Sequence, residues 1–198
     1  MGIEFELKFR ATPEAIRKIR ADVSGPEQIF QMQTTYYDTG DRVFSRRHMT
    51  LRRRMENDRS VCTLKTPAGD QGRGEFELDC DNIQTALPEL CKLSGVADLQ
   101  ELARQEVVSV CGARFTRIAK TVEFLDAVME LALDEGELSG GGKQIPLCEV
   151  EVELKEGSRE SVIAYGTLLA AEYGLEPEKF SKFRRASALA EGENNGGI

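Results

Sequence analysis

The sequence predicts an α+β domain whose antiparallel strands curve into one sheet with ionic faces turned inward, and three observations carry that expectation. First, Ile3-Glu4-Phe5-Glu6-Leu7-Lys8-Phe9 alternates apolar and charged residues. A strand repeats every two residues, so Glu4, Glu6 and Lys8 share one face and Ile3, Phe5, Leu7 and Phe9 the other. Second, the same alternation recurs in Arg73-Gly74-Glu75-Phe76-Glu77-Leu78 and in Glu149-Val150-Glu151-Val152-Glu153-Leu154. Third, bases gather between these acidic strands, at Leu51-Arg52-Arg53-Arg54, Lys65, Arg73, Arg114, Arg117 and Lys120. Solvent-facing strand faces ordinarily mix Thr, Ser, Gln and Lys, so faces of nearly pure charge point to a charged cavity rather than a greasy core.

Punctuation residues set the order of the elements. After the first strand, Thr12-Pro13-Glu14 starts a helix, with Thr as cap, Pro at the first helical position and an acid in the first turn. Ile16, Ile19 and Val23 form its apolar stripe, and it ends near Ser24-Gly25-Pro26. Strands follow over Gln31–Asp38, Asp41–Phe44, Thr50–Asn57, Ser60–Thr66 and Arg73–Asp79, broken at Gly40, Asp58 and Pro67-Ala68-Gly69-Asp70. Helical stretches are expected over Ile83–Leu93 and Asp98–Gln105. Strands resume at Val107 and continue through Phe115–Leu125, Val128–Asp134 and Pro146–Lys155. Two helices close the chain, Arg159–Tyr173 and Pro177–Ala190. Their apolar positions Val162, Tyr165, Leu168, Leu169 and Leu189 suit the outward apolar faces of the strands.

Composition narrows the function classes. At 198 residues, with 40% hydrophobic and 30% charged content, the chain fits one sizeable domain. A net charge of −8 argues against a general nucleic-acid or anionic-membrane binder. The five cysteines, Cys62, Cys80, Cys91, Cys111 and Cys148, are odd in number and lack zinc-site spacing, which reads as reduced thiols. No run of about 18 apolar residues is present to span a membrane. The charged N-terminal strand lacks the apolar stretch of a secretory signal, so a cytoplasmic location is expected. His48, the one histidine, reads as a surface residue, and no Ser-His-Asp or Cys-His nucleophile is supported.

Hard carboxylate oxygens bind divalent cations, whereas Arg and Lys bind phosphate. One cavity holding both describes a site for a metal-chelated polyphosphate. Arg53 falls on the opposite strand parity from Arg52 and Arg54 and is left out. Arg114 and Lys120 rank second, and Glu75, Glu77 and Asp134 serve either as ligands or as partners that hold the arginines.

These segments together resemble the CYTH family, the triphosphate tunnel metalloenzymes. The resemblance rests on Glu4-x-Glu6-x-Lys8, Tyr37-Asp38-Thr39, Leu51-Arg52-Arg53-Arg54, Leu64-Lys65-Thr66-Pro67, Arg73-x-Glu75-x-Glu77, Leu133-Asp134-Glu135-Gly136, Glu149-x-Glu151-x-Glu153 and Ser181-Lys182. It spans residues 3 to about 185 in the family's order. It implies an antiparallel eight-stranded β-barrel, or tunnel, with a charged interior and flanking helices. A single domain over residues 1–190 and a disordered tail over 191–198 are expected.

The resemblance further implies hydrolysis of a triphosphate with Mg²⁺ or Mn²⁺ as cofactor. Phosphate contacts are expected from Lys8, Arg52, Arg54, Lys65, Arg73, Arg117 and Lys182. Glu4, Glu6, Glu149, Glu151 and Glu153 are the expected metal ligands, and Lys8, Glu6 and Glu153 the catalytic set. Lys8 takes part in proton transfer only if its neighbours depress its pKa. The partner is a small-molecule triphosphate, with the chain a monomer or homodimer.

Within the family, the pattern is most similar to bacterial inorganic triphosphatases, which cleave tripolyphosphate to pyrophosphate and phosphate. Class IV adenylyl cyclases place a His-Phe pair ahead of the Glu-x-Glu-x-Lys motif, where this sequence has Met1, Gly2 and Ile3. Animal thiamine triphosphatases stack a Trp on the thiamine ring; this chain has none, with Tyr36, Tyr37 or a Phe as substitutes. At this length the helical partner domain of some bacterial relatives is not expected. A non-catalytic polyphosphate or nucleotide sensor stays open as the alternative of a different class.

Overall fold

The computed structural model describes residues 5–67, 73–96 and 98–192, apart from the side chains of Arg73 and Gln100. Glu4, the Arg73 side chain and residues 193–198 of the expected tail lie outside the described residues.

The first strand, β1 (Glu6–Arg10), leads into α1 (Pro13–Asp22). The Thr12 Oγ1 accepts the Ala15 amide at 3.1 Å, the cap that the sequence announces. A long β2 (Glu27–Thr39) follows, then α2 (Val43–Arg46), β3 (Thr50–Glu56), β4 (Arg59–Pro67) and β5 (Arg73–Asp79). Next come α3 (Ile83–Ser94), α4 (Leu99–Leu102), β6 (Val107–Phe124), β7 (Ala127–Gly140) and β8 (Lys143–Glu156). The chain closes with α5 (Arg159–Tyr173), the two-residue β9 (Glu176–Pro177) and α6 (Lys182–Glu191).

Two of these elements correct the sequence reading. The strand expected over Asp41–Phe44 is a turn entering α2, because the buried Asp38 carboxylate organises it. Its Oδ1 accepts the Thr39 and Phe44 amides, and its Oδ2 accepts the Ser45 amide and hydroxyl. Backbone donors that a strand would present to a neighbour are spent on one side chain. At the other end, Pro177 does not start the last helix. Pro177 pairs with Phe9 in β9, and the Glu178 amide donates to the Lys8 carbonyl at 2.8 Å. The helix starts at Lys182, where the Ser181 Oγ accepts the Arg184 amide.

The sheet is antiparallel throughout, in the order β5-β4-β3-β2-β6-β7-β8-β1-β9. It therefore has nine strands rather than eight, and among the described residues no hydrogen-bonded pairing joins β5 to the opposite edge. The expected barrel closure is replaced by an open sheet that curls, so that side chains from β1 through β8 line one concave cavity.

Helices α1 and α5 cover the convex face over β1 and β6–β8, with Phe9, Ile16, Ile19, Leu131, Leu133, Val150, Val152, Val162 and Leu169 in one apolar core. Gly166 of α5 allows the close approach: a Cβ there would stand 2.5 Å from Leu7 and 3.2 Å from Phe9. Helices α3 and α4 cover β3–β5 around Leu51, Leu64, Leu87, Leu90 and Leu99.

Helix α6 departs from expectation. It packs with Phe183, Ala186 and Leu189 against Met32, Tyr36, Phe115, Leu138 and Leu147. Those positions share strand parity with the charged lining, so α6 fills one end of the concave side instead of joining the outer layer. Leu168, also expected to find a convex-face partner, remains 59% exposed.

Candidate functional site

Strand alternation builds one wall of the cavity, which has a volume of about 510 Å³. Arg52 and Arg54 enter from β3, while Arg53 lies on the other face with its Nε donating to the Ser60 Oγ at 2.9 Å. Lys65 comes from β4 and Glu75 from β5, opposite one another in register. The Glu75 carboxylate lies 3.1 Å from the Arg52 Nη2 and 2.9 Å from the Lys65 Nζ. Arg54 pairs with Glu56 at 2.5 Å.

The Nε atoms of Arg52 and Arg54 are both buried without a hydrogen-bond partner. Burial, reinforced by Arg52 and Arg117, holds the Arg54 guanidinium below its ordinary pKa. This wall therefore has as many acids as bases but leaves two buried guanidinium donors unsatisfied, which is costly in the absence of an anion.

The facing wall is different. Arg117 of β6 sits opposite Asp134 of β7, which sits opposite Glu149 of β8. Arg117 reaches both Asp134 oxygens, at 2.8 and 2.7 Å, and Glu151 at 2.5 Å. Lys182, the first residue of α6, inserts its Nζ 2.9 Å from Asp134, 2.8 Å from Glu151 and onto Glu149. Arg185, one helical turn further, pairs with the other Glu149 oxygen. The rings add to this, since the Phe115 centroid lies 5.8 Å from the Arg117 Cζ and 5.4 Å from the Lys182 Nζ.

Charge in this buried cluster is strongly coupled. Burial pushes the Glu149 carboxyl up to about 7, against the pull of Lys182. Burial acts on Glu151 too, but Lys182 and Arg117 outweigh it and hold that carboxyl well below the usual range. The same carboxylates raise the pKa values of Arg117 and Lys182 in spite of burial.

At the rim, Glu6, Glu153 and Glu130 form a cross-strand row, with Glu6 opposite Glu153 and Glu153 opposite Glu130. All three line the cavity and are partly exposed, and lysines hold them. Lys8 is 3.0 Å from Glu6, and Lys155 is 2.8 Å from Glu153 and 3.8 Å from Glu130.

The structure thus brings Glu6, Lys8, Arg52, Arg54, Lys65, Arg117, Glu151, Glu153 and Lys182 to one cavity. Glu149 has strand parity with them but stands behind Lys182, fully buried and outside the lining. Its oxygens lie within 4.8 Å of those of Asp134 and Glu151, a spacing that suits a cation, and the Lys182 ammonium already bonds to all three.

Glu75 and Glu77 line the cavity as well, with Glu75 acting as the partner of Arg52 and Lys65. Lys120 is not a site residue: its Nζ donates to the Arg20 and Val23 carbonyls at the C-terminus of α1. Arg114 and His48 are exposed and outside the lining, and all five cysteines are free thiols.

Glu56, Glu130, Lys155, Arg185 and an apolar patch escaped the sequence reading. Glu130 has the same parity as Asp134, and Arg185 lies three residues after Lys182 on one helix face, so both were legible from spacing. The apolar patch of Phe30, Met32, Tyr36, Phe115 and Phe183 in the same cavity was not, because it joins three separated elements.

Comparison with known proteins agrees with this architecture. An inorganic triphosphatase of Haemophilus influenzae is 29% identical over 159 residues, which cover 78% of this chain and 45% of that protein. The chain thus spans less than half the length of this curated relative. Among solved structures, the Hippeastrum protein HpAC1, in which triphosphatase activity is dominant, superposes with a TM-score of 0.64 at 21% identity, covering 93% of this chain and 95% of that one. The PH1819 protein of Pyrococcus horikoshii OT3 gives 0.61 at 23% identity, covering 96% and 99%. The CYTH domain matches residues 2–187, nearly the whole sequence, and the chain belongs to the CYTH family.

Proposed function

We propose that this chain hydrolyses a triphosphate in the charged cavity, with inorganic tripolyphosphate cleaved to pyrophosphate and phosphate as the leading substrate. The observation that carries the reading is the pair of neighbouring guanidiniums, Arg52 and Arg54, each with a buried unpartnered Nε. Planar guanidiniums match phosphate oxygens bidentately, and an anion between them relieves both repulsion and desolvation. Lys8, Lys65, Arg117 and Lys182 complete the phosphate contacts, Arg73 is assigned to them from its sequence motif alone, and the curled sheet acts as the tunnel wall around the extended anion.

The lining carries seven basic and seven acidic side chains, so it is formally neutral. A triphosphate brings about four negative charges, and neutralising and positioning them is most of what phosphoryl transfer asks of a protein. Glu56 and Glu75 hold the bases in place, and the remaining acids are useful to an anion site when a cation joins them. The rim acids Glu6 and Glu153, with Glu130, are the carboxylates that would hold a hard divalent cation such as Mg²⁺ or Mn²⁺, although their oxygens do not gather as closely as those of Asp134, Glu149 and Glu151. The rim acids stand on adjacent strands, and flexible lysines are their partners. The Glu4-x-Glu6 motif assigns Glu4 to that set from sequence, Glu151 borders it, and Glu149 serves Lys182 instead.

When bound, the ion supplies charge neutralisation and an acidified water. Arg52, Arg54 and Lys65 hold phosphate oxygens, Arg117 and Lys182 offset charge developing on the leaving pyrophosphate, and Glu6 and Glu153 keep the acidic rim where water enters. The work is that of a cytoplasmic hydrolase.

A second reading, an organic triphosphate, is favoured by the apolar patch around Tyr36 and Phe115. Phosphate release from tripolyphosphate, thiamine triphosphate and ATP, each with Mg²⁺, Mn²⁺ or chelator, separates the two. Fast metal-dependent release from tripolyphosphate with little from the others supports the first reading. Preference for an organic triphosphate supports the second, and binding without turnover in every sample replaces both with a sensor.

A further inference from the structure

The buried cluster contains three acids, Asp134, Glu149 and Glu151, and three bases, Arg117, Lys182 and Arg185. Only Arg117 and Lys182 among those bases line the cavity. Arg185 stands behind them, with its Nη2 on Glu149 and its Nη1 3.4 Å from Glu178. Glu178 is itself almost buried, and its amide is bonded to the Lys8 carbonyl of β1. Arg185 thus ties α6 to β8 and to the chain segment that backs Lys8, without reaching the space where a substrate sits.

We infer that Arg185 is a positioning residue for anion binding: by neutralising Glu149 it leaves the Lys182 ammonium to be shared with a phosphate oxygen. The inference rests on the cavity being an anion site, as proposed above. Lys182 touches three carboxylates, and one of them, Glu149, has no other cation than Arg185 within ion-pair distance among the described residues. With Arg185 removed, Lys182 would have to neutralise Glu149 alone while Asp134 and Glu151 share Arg117. Three acids then share two cations, and Lys182 is drawn onto Glu149 and away from a phosphate oxygen.

The test uses the full chain and four proteins: wild type, Arg185→Met, Arg185→Lys and the charge-balanced double variant Glu149→Gln/Arg185→Met. Steady-state constants for tripolyphosphate are measured with Mg²⁺, tripolyphosphate binding is followed by calorimetry, and thermal unfolding is recorded beside them. Arg185→Met is expected to raise KM and weaken binding about tenfold or more, because Lys182 is then taken up by Glu149, with a smaller change in kcat. Arg185→Lys retains most of the affinity because it retains the charge. The double variant recovers affinity although α6 has lost the same anchoring contact.

A purely structural anchor predicts the opposite for the double variant, which would then bind no better than Arg185→Met. That outcome, or an unchanged KM in Arg185→Met, overturns the inference while leaving the proposed hydrolysis intact. If Arg185→Met does not fold, the Lys and double variants still decide between charge and anchoring. A wild-type chain that neither binds nor cleaves tripolyphosphate overturns the proposed substrate and this inference together.

Discussion

On the β3–β5 side of the cavity, Arg52 has Glu75 at 3.1 Å and Glu77 at 4.0 Å, Arg54 has Glu56, and each has a buried Nε that bonds to nothing, whereas on the β6–β8 side Arg117 and Lys182 are held within 3 Å by two and three carboxylates. The two walls have the same residue types and the same strand alternation. Their difference is in how much of each cation's bonding capacity the protein itself consumes. A guanidinium with an unsatisfied donor gains from an incoming phosphate, while a cation enclosed by buried acids is fixed in place and shapes the field. The β3–β5 wall thus offers the anion donors that nothing else uses, whereas the β6–β8 wall offers cations that the anion must share with buried acids.

That division can be broken most completely at the rim. Chelation of divalent cations is expected to reduce tripolyphosphate cleavage to background, with Mg²⁺ restoring the wild type. In Glu6→Gln/Glu153→Gln the added ion should restore little; full metal-dependent turnover by that variant in a phosphate-release assay would remove the rim from the metal site.

Next in size, Arg52→Met or Arg54→Met should lower kcat/KM by about 10²–10³-fold, the usual loss when one preorganised charge-stabilising donor is removed. Unfolding should change much less, because the carboxylates that these residues pair with are partly exposed. Arg117→Met sharpens the contrast from the other wall. It leaves the fully buried Asp134 short of its bidentate partner, and a stability loss of about 3–5 kcal/mol is expected in denaturant unfolding. Equal stability losses on the two walls would contradict the division. The smallest effect belongs to Arg53→Lys, which lies across the sheet on Ser60, and its kcat/KM should stay within about twofold of wild type.

Much of this was legible before folding. Alternation sorted Arg52 and Arg54 from Arg53 and aligned Glu6 with Lys8 and Glu151 with Glu153, because parity along a strand is a local property. The Thr12-Pro13 start of α1 was equally local. What misled the reading were segments whose backbone donors find distant partners. Asp38 converts the expected strand at Asp41–Phe44 into a capped turn, and β1 captures Pro177 before α6 can begin.

The Leu133-Asp134-Glu135-Gly136 motif shows both kinds of information at once. Asp134 reads as an acid on the right face, but the need for glycine at 136 appears only against β6. A Cβ there would lie 2.2 Å from the Arg114 carbonyl oxygen and 2.5 Å from the Phe115 Cα.

By itself, then, the sequence determined which side chains share a face, that the faces are ionic, and that the family's motifs stand in order, since these depend on two-residue periodicity and residue type. The tertiary structure decided the rest. Strand order places Arg117, Asp134 and Glu149 in one row, curling brings β3 to face β8 across the cavity, and the docking of α6 inside the concave side delivers Lys182 and Arg185. Partner choice between distant segments depends on burial and register, quantities that exist only once the sheet has formed. Two arginines of identical chemistry therefore became an anion receiver on one wall and a buried brace on the other.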